Sequence, residues 1–215
     1  MQQITLYDYW RSSAAYRVRI ALELKGVDYT RALVDLAAGE QRQADYRQRN
    51  PQGLVPMLEV DGLALTQSLA IVDYLDSMHP EPRLIPTEPA DRAHVLALAM
   101  IVACDIHPLN NLRVLKYLGS ELQAEQAARD AWYTHWVREG LAALEAAAAP
   151  HAGTFLFGDA PTLADVFLVP QMYNARRFNV PVNDLPLLVR ADAAACALAG
   201  FAAAHPDRVA PGKTS

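Results

Sequence analysis

Apolar positions along the chain follow two different periods, and each change of period marks an element. Ile4-Thr5-Leu6-Tyr7-Asp8-Tyr9 alternates apolar and polar residues as a half-buried strand does. Ala14, Val18, Ala21 and Leu22 then recur at helical spacing, so the pattern turns from strand to helix across Trp10-Arg11-Ser12-Ser13. This helix is predicted to stop at Lys25-Gly26, with glycine just past the last turn. Tyr29 to Leu36 reads as a second strand, Glu40 to Gln48 as a helix and Asn50-Pro51-Gln52-Gly53 as a turn. Pro56-Met57-Leu58-Glu59-Val60 and Ala64-Leu65-Thr66 flank Asp61-Gly62, a two-residue loop suited to a tight hairpin. Ser68 is placed to cap a helix through Ile71, Val72, Tyr74, Leu75 and Met78. The predicted order is βαβαββα.

Prolines at 80, 82, 86 and 89 interrupt helical continuity, and the pattern beyond them changes. Ala90 to Leu118, Glu121 to Ala149, Thr162 to Ala175 and Leu185 to Ala204 all keep helical spacing, with no alternating strand. Thr162-Leu163-Ala164-Asp165 resembles a capping box with Asp in place of Glu, a folding signal rather than a chemical one. The expected organisation is an α/β domain over residues 1–80, a linker over 81–89 and an all-α domain over 90–215, with a disordered tail from Pro211. The alanine-rich stretches fit this reading, because alanine is the best helix former and interleaved Leu, Val and Phe supply a face to bury.

Composition narrows the function classes. A chain of 215 residues that is 52% hydrophobic can bury a large core, and a net charge of -5 argues against a nucleic-acid surface. No apolar run approaches the ~18 residues of a membrane span and Met1-Gln2-Gln3 lacks a charged signal-peptide start, so a cytoplasmic protein without a membrane partner is expected. Cys104 and Cys196 lie far apart; neither a disulfide framework nor a metal site is implied, and both are expected to be buried.

The chemistry-bearing feature is Ser12-Ser13 at the first strand-to-helix junction. Unsatisfied N–H groups and the positive end of the helix dipole converge there, which suits an anion or a thiolate. The same serine also suits an ordinary N-cap.

Several separated segments resemble the zeta class of glutathione transferases. They are Arg11-Ser12-Ser13 with Tyr16 to Leu22, Asn50 to Pro56, Gln67-Ser68-Leu69-Ala70-Ile71, Ile106 to Tyr117, and Val169-Pro170-Gln171 with Ala175-Arg176-Arg177-Phe178. The resemblance implies a glutathione transferase fold: a thioredoxin-like N-terminal domain, an all-α C-terminal domain, and a homodimer. It also implies glutathione as cofactor and a small dicarboxylate as substrate, isomerised from cis to trans as maleylacetoacetate and maleylpyruvate isomerases do. A general conjugating transferase and a noncatalytic interaction protein are the alternatives. A thiol–disulfide oxidoreductase is disfavoured, since serines stand at the turn where it needs cysteine.

The resemblance gives the residues roles. Ser12, with Ser13, holds the glutathione thiolate, and Val55 before a cis Pro56 pairs with the tripeptide backbone. Gln67 and Ser68 take the glutamyl carboxylate, Gln41 helps with the glycyl end, and Arg17 lies close to the tripeptide. His107, Asn111 and Arg113 are expected to face the same cleft. Arg11, Arg113, Arg176 and Arg177 are the candidates for the substrate carboxylates, Arg177 being favoured as catalytic. Many members carry cysteine after the serine pair, where this chain has Ala14.

Overall fold

The computed structural model describes residues 3–212; Lys213 to Ser215, the end of the expected disordered tail, lie outside the described residues. Four strands, β1 (Ile4–Asp8), β2 (Thr30–Leu33), β3 (Met57–Val60) and β4 (Leu63–Thr66), form one sheet in the order β2-β1-β3-β4. β1 runs parallel to β2, with Thr5 opposite Thr30, and antiparallel to β3, with Leu6 opposite Leu58; β3 and β4 pair antiparallel. The β3–β4 hairpin turns on Asp61 and Gly62, both at positive φ (47° and 86°), as a tight two-residue loop requires. This is the thioredoxin-like sheet that the resemblance implies.

The strand alternation sorts side chains into two layers. Ile4, Leu6 and Asp8 are buried on the side of α1 (Ser13–Lys25), where Arg19 reaches Asp8, and α1 packs against α3 (Ser68–Met78). Tyr7 lies on the other side, near Tyr46 of α2 (Ala44–Arg49), in a small cluster with Val34 and Val55. The helix predicted over Glu40 to Gln48 is divided. A 3-10 turn over Glu40–Arg42 ends at Gln43, whose extended backbone (ψ 150°) lets α2 start afresh.

The remaining helices are α4 (Pro89–Met100), α5 (His107–Asn110), α6 (Leu112–Ser120), α7 (Gln126–Ala148), α8 (Leu163–Arg177), α9 (Pro186–Cys196), α10 (Ala199–Ala203) and α11 (Pro206–Val209). A π-helical turn, Ile101–Ile106, joins α4 to α5. The single helix predicted from Ala90 to Leu118 therefore changes geometry twice. Pro108 offers no N–H to the carbonyl one turn back, and Asn111 adopts an extended backbone while its side chain accepts the Arg113 N–H at 3.1 Å, capping α6. Gly140 of α7 allows the close approach of the π turn: a Cβ there would lie 2.2 Å from Ile106 Cγ1. Helix formation from Leu185 to Ala204 is likewise interrupted between α9 and α10.

The run Pro89–Ser120 corrects one expectation. It contains an 18-residue window of mean hydropathy 1.5, a third of it buried, and so has the length and composition of a span. Asp105, His107, Asn110 and Asn111 keep every uninterrupted apolar run short while leaving the average high. A single helix of this kind is weak evidence for a membrane. Both cysteines are exposed rather than buried, Cys104 on the π turn and Cys196 at the end of α9.

Two compact units result. One runs to Leu84 and takes up the chain again from Ala197; the other is Ile85–Cys196. The last segment, expected with the helical domain, is thus part of the first unit. Arg19 Nε donates to the Ala204 carbonyl (3.1 Å), Arg31 Nη1 donates to the Val209 carbonyl (2.9 Å), and α10 packs on α1.

Candidate active site

In the first unit the predicted residues form a connected series, starting at the N-terminus of α1. Ser12 is the N-cap: its backbone is extended (φ -71°, ψ 116°), its carbonyl accepts the Tyr16 N–H at 2.8 Å and its Oγ accepts the Ala15 N–H at 3.2 Å. Capping uses a lone pair of the hydroxyl and leaves its proton available to a thiolate. Ser13, the first residue of the helix, is buried.

The second helix start differs from its prediction. Ser68 is the first helical residue rather than the cap, and Gln67 holds the cap position with φ 68° and ψ 116°. A non-glycine residue at positive φ is uncommon and collects at ligand clamps. Buried Arg17, on the first turns of α1, donates from Nη1 to Ser68 Oγ at 3.2 Å and so links the two helix starts. Gln67 Nε2 in turn donates to Gln52 Oε1 at 2.7 Å.

Gln52 belongs to the turn before Val55, and the Val55-Pro56 bond is cis as the resemblance implies. The Leu54 carbonyl accepts Tyr46 Oη and Asn50 Nδ2, each at 2.7 Å, which fixes the segment that presents Val55. Gly53, at φ 62°, passes close to the 3-10 turn; a Cβ there would sit 2.8 Å from the Gln41 carbonyl oxygen. Gln41 is buried, and its Oε1 has no hydrogen-bond partner among the described residues. A buried acceptor without a donor calls for a ligand group or water to satisfy it.

Sequence reasoning gives Arg19 a supporting role in the first helix and misses its partner Asp8 and the second cation, Arg31. Asp8 is fully buried between Arg19 (Nη1 to Oδ1, 2.6 Å) and Arg31 (Nη2 to Oδ2, 2.6 Å), and Arg19 Nη2 also donates to the Trp10 carbonyl at 3.1 Å. That bond anchors the loop just before Ser12. Burial pushes the Arg19 pKa down, with the Asp8 charge opposing. Arg11 is exposed, with its guanidinium over the Trp10 ring at 4.1 Å. Alternation in β1 marks Asp8 as an inward position, a signal that a charged partner had to be present.

In the helical unit, His107 and Asn111 are neighbours, Nε2 to Nδ2 at 3.5 Å, and Arg113 is exposed at the start of α6. Asn110 Nδ2 reaches Gln171 Oε1 at 3.5 Å within the core. The consecutive arginines that end α8 have separate fates. Arg176 is bound to Asp192 (Nη2 to Oδ2, 2.6 Å), whereas Arg177 is exposed and lies over the Phe178 ring at 4.8 Å. Arg176 is thereby paired with a buried carboxylate while its side chain stays half exposed. The predicted capping box is present: Thr162 N and Oγ1 both donate to Asp165 Oδ2, at 2.8 and 3.1 Å, and Leu156 N donates to Oδ1 at 2.9 Å. Burial nevertheless raises the Asp165 pKa to about 6, against the effect of those bonds.

The first unit offers what glutathione needs: a hydroxyl proton at a helix N-terminus, a second helix start for a carboxylate, the Val55 backbone, and an unsatisfied buried acceptor at Gln41. Comparison with known proteins agrees with this geometry. The glutathione S-transferase N-terminal domain matches residues 2–77, and the C-terminal domain matches residues 126–211. A maleylacetoacetate isomerase of Rhizobium meliloti is 49% identical over 210 residues, covering 97% of this chain and 99% of that one. Among solved structures, a holo maleyl pyruvate isomerase described as a bacterial zeta-class glutathione S-transferase superposes with a TM-score of 0.93. It is 44% identical, with 98% of this chain and 100% of that one covered. The maleylacetoacetate isomerase of Anaeromyxobacter dehalogenans, with dicarboxyethyl glutathione and citrate in its active site, gives a TM-score of 0.88 at 46% identity, covering 99% of each chain. With both domains matched and its length shared with these relatives, the chain belongs to the glutathione S-transferase family, in its zeta class.

Proposed function

We propose that this protein is a glutathione-dependent cis–trans isomerase that converts maleylacetoacetate to fumarylacetoacetate in aromatic amino-acid catabolism. The observation that carries this reading is Ser12, whose hydroxyl caps α1 through its oxygen while its proton remains free to be donated to a sulfur. Bound glutathione supplies the thiolate that adds to the cis double bond, makes it a rotatable single bond and leaves once the trans geometry is reached.

Ser12, assisted by Ser13 and the positive end of α1, stabilises the thiolate and lowers the thiol pKa from its usual ~8.5. Val55 pairs with the tripeptide backbone, and the α3 start at Gln67 and Ser68 receives the glutamyl carboxylate. Arg17 holds Ser68 in place, and Gln41 supplies an acceptor near the glycyl end. The resemblance gives His107 and Asn111 a part in glutathione binding, and gives Arg11, Arg113 and Arg177 the substrate carboxylates and the charge that develops on the adjacent ketone. A thioether joining glutathione to a dicarboxylate, the ligand of the Anaeromyxobacter relative, is what a site for such an addition accommodates. Ala14 leaves no thiol beside the serine pair, so the nucleophile is the cofactor's.

A maleylpyruvate substrate is the second reading, supported by the maleyl pyruvate isomerase that shares this fold. The test is an ultraviolet assay of each cis substrate with and without glutathione. Isomerisation that requires glutathione without consuming it supports the reading; faster turnover of maleylpyruvate selects the second substrate, consumption of glutathione indicates a conjugating transferase, and inactivity on both overturns it. The protein is proposed to act as a cytoplasmic homodimer, as the resemblance implies; light scattering checks the dimer.

A further inference from the structure

The geometry points to Phe178 and Tyr133 as positioning residues: a two-ring stack fixes the Arg177 guanidinium in the orientation that receives a substrate carboxylate. The inference rests on the reading of Arg177 as a carboxylate ligand. Arg177 ends α8 without the ion pair that holds Arg176, and a long exposed side chain of this kind samples many rotamers unless something restrains it. Here the restraint is aromatic. The guanidinium lies 4.8 Å from the Phe178 ring centroid, within cation–π range.

Phe178 would itself be poorly restrained, since it follows the last turn of α8 and is 39% exposed. It stacks on Tyr133 of α7, with ring centroids 4.2 Å apart and planes 27° from parallel. Tyr133 is 3% exposed and therefore rigid, so the order of α7 passes through Phe178 to the cation. The charge of Arg177 is also felt at the phenol, where it opposes the upward push of burial on the Tyr133 pKa. The Tyr133 hydroxyl is buried with no hydrogen-bond partner among the described residues, so hydrogen bonding does not account for a tyrosine there. What the ring contributes is a flat face.

The experiment compares KM for the dicarboxylate substrate, KM for glutathione, and kcat across variants. Phe178→Leu, at a position exposed enough to leave the fold intact, is expected to raise substrate KM roughly three- to tenfold while leaving glutathione KM and the thermal midpoint nearly unchanged. Phe178→Tyr should restore substrate KM, and Tyr133→Phe, which keeps the ring and removes the unsatisfied hydroxyl, should leave it within twofold. Tyr133→Leu should match Phe178→Leu in the KM ratio even though it also lowers stability. Arg177→Gln separates the two levels of argument. If it raises substrate KM tenfold or more while Phe178→Leu does nothing, the positioning role is overturned and the carboxylate role stands. If Arg177→Gln itself has no effect, the reading of Arg177 fails and the inference with it.

Discussion

In the first unit Asp8 is buried between Arg19 and Arg31, and Asp76 accepts from Lys25 Nζ at 2.5 Å and Leu84 N at 2.8 Å. In the helical unit Asp165 is buried just as deeply, yet the donors that reach it among the described residues are neutral, chiefly the N–H groups of Leu156 and Thr162 and the Thr162 hydroxyl. Asp8 and Asp76 are neutralised by cations, as Asp192 of the helical unit is by Arg176, whereas Asp165 relies on dipoles and its carboxyl is left with a pKa near 6. The candidate chemistry separates the two units more clearly. Around Ser12, Ser68 and Val55 the residues are tied to one another, whereas Arg113 and Arg177 sit exposed at helix ends. The first group is held by hydrogen bonds between its own elements, whereas Arg177 is held by the Phe178 ring.

Arg19→Leu strikes the cation-neutralised side hardest. It leaves Asp8 with Arg31 alone and strands the Trp10 and Ala204 carbonyls, so chemical denaturation should show a loss of about 3–5 kcal/mol. A loss under about 1 kcal/mol would mean that Arg31 compensates and that the contrast between cation-held and dipole-held carboxylates is false. Ser12→Ala comes next: steady-state turnover should fall by about 10²–10³, while stability drops by only about 1 kcal/mol for the missing cap. Equal, small effects on both would reduce Ser12 to a cap.

Asp165 tests the dipole-held side through pH. Its folded pKa of about 6 exceeds its unfolded value near 3.8, so the folded protein binds this proton more tightly. The stabilisation is full below about pH 4 and is lost as pH rises through 6, amounting to about 3 kcal/mol. The stability difference between wild type and Asp165→Asn should therefore change across that window in wild type's disfavour. The opposite slope would show that the three donors outweigh burial. Arg176→Gln is expected to have the smallest effect: the Asp192 carboxyl moves further above its ordinary range, stability falls by no more than about 1 kcal/mol because Arg176 is half exposed, and substrate KM holds within twofold. A large KM change would place Arg176 among the substrate ligands.

What could be read from the sequence followed from local rules. The strand-to-helix change at Ser12, the Asp61-Gly62 turn, the Gly26 stop and the Thr162–Asp165 box each depend on neighbours within a few residues, and each is present. The breaks at Gln43 and Asn111 were hidden because the apolar spacing continues across them while the backbone does not. Arg17 to Ser68, Asp8 to Arg19 and Arg31, and Arg176 to Asp192 pair residues distant in sequence or on different elements, which periodicity does not report. Ser12 shows that the two sequence readings were not rivals, since one hydroxyl can cap with its oxygen and act with its proton.

The return of the chain from Ala197 limits how this protein can be taken apart. Two guanidinium groups of the first unit, on Arg19 and Arg31, use the carbonyls of Ala204 and Val209 as acceptors. A fragment ending near Leu84 would lose both acceptors and the helix that packs on α1, so the sheet-bearing part is not a self-sufficient module despite being contiguous in its family description. Exchanging it between relatives, by recombination or by cloning, requires the tail to travel with it, and the workable crossovers come in pairs, near residues 84 and 197.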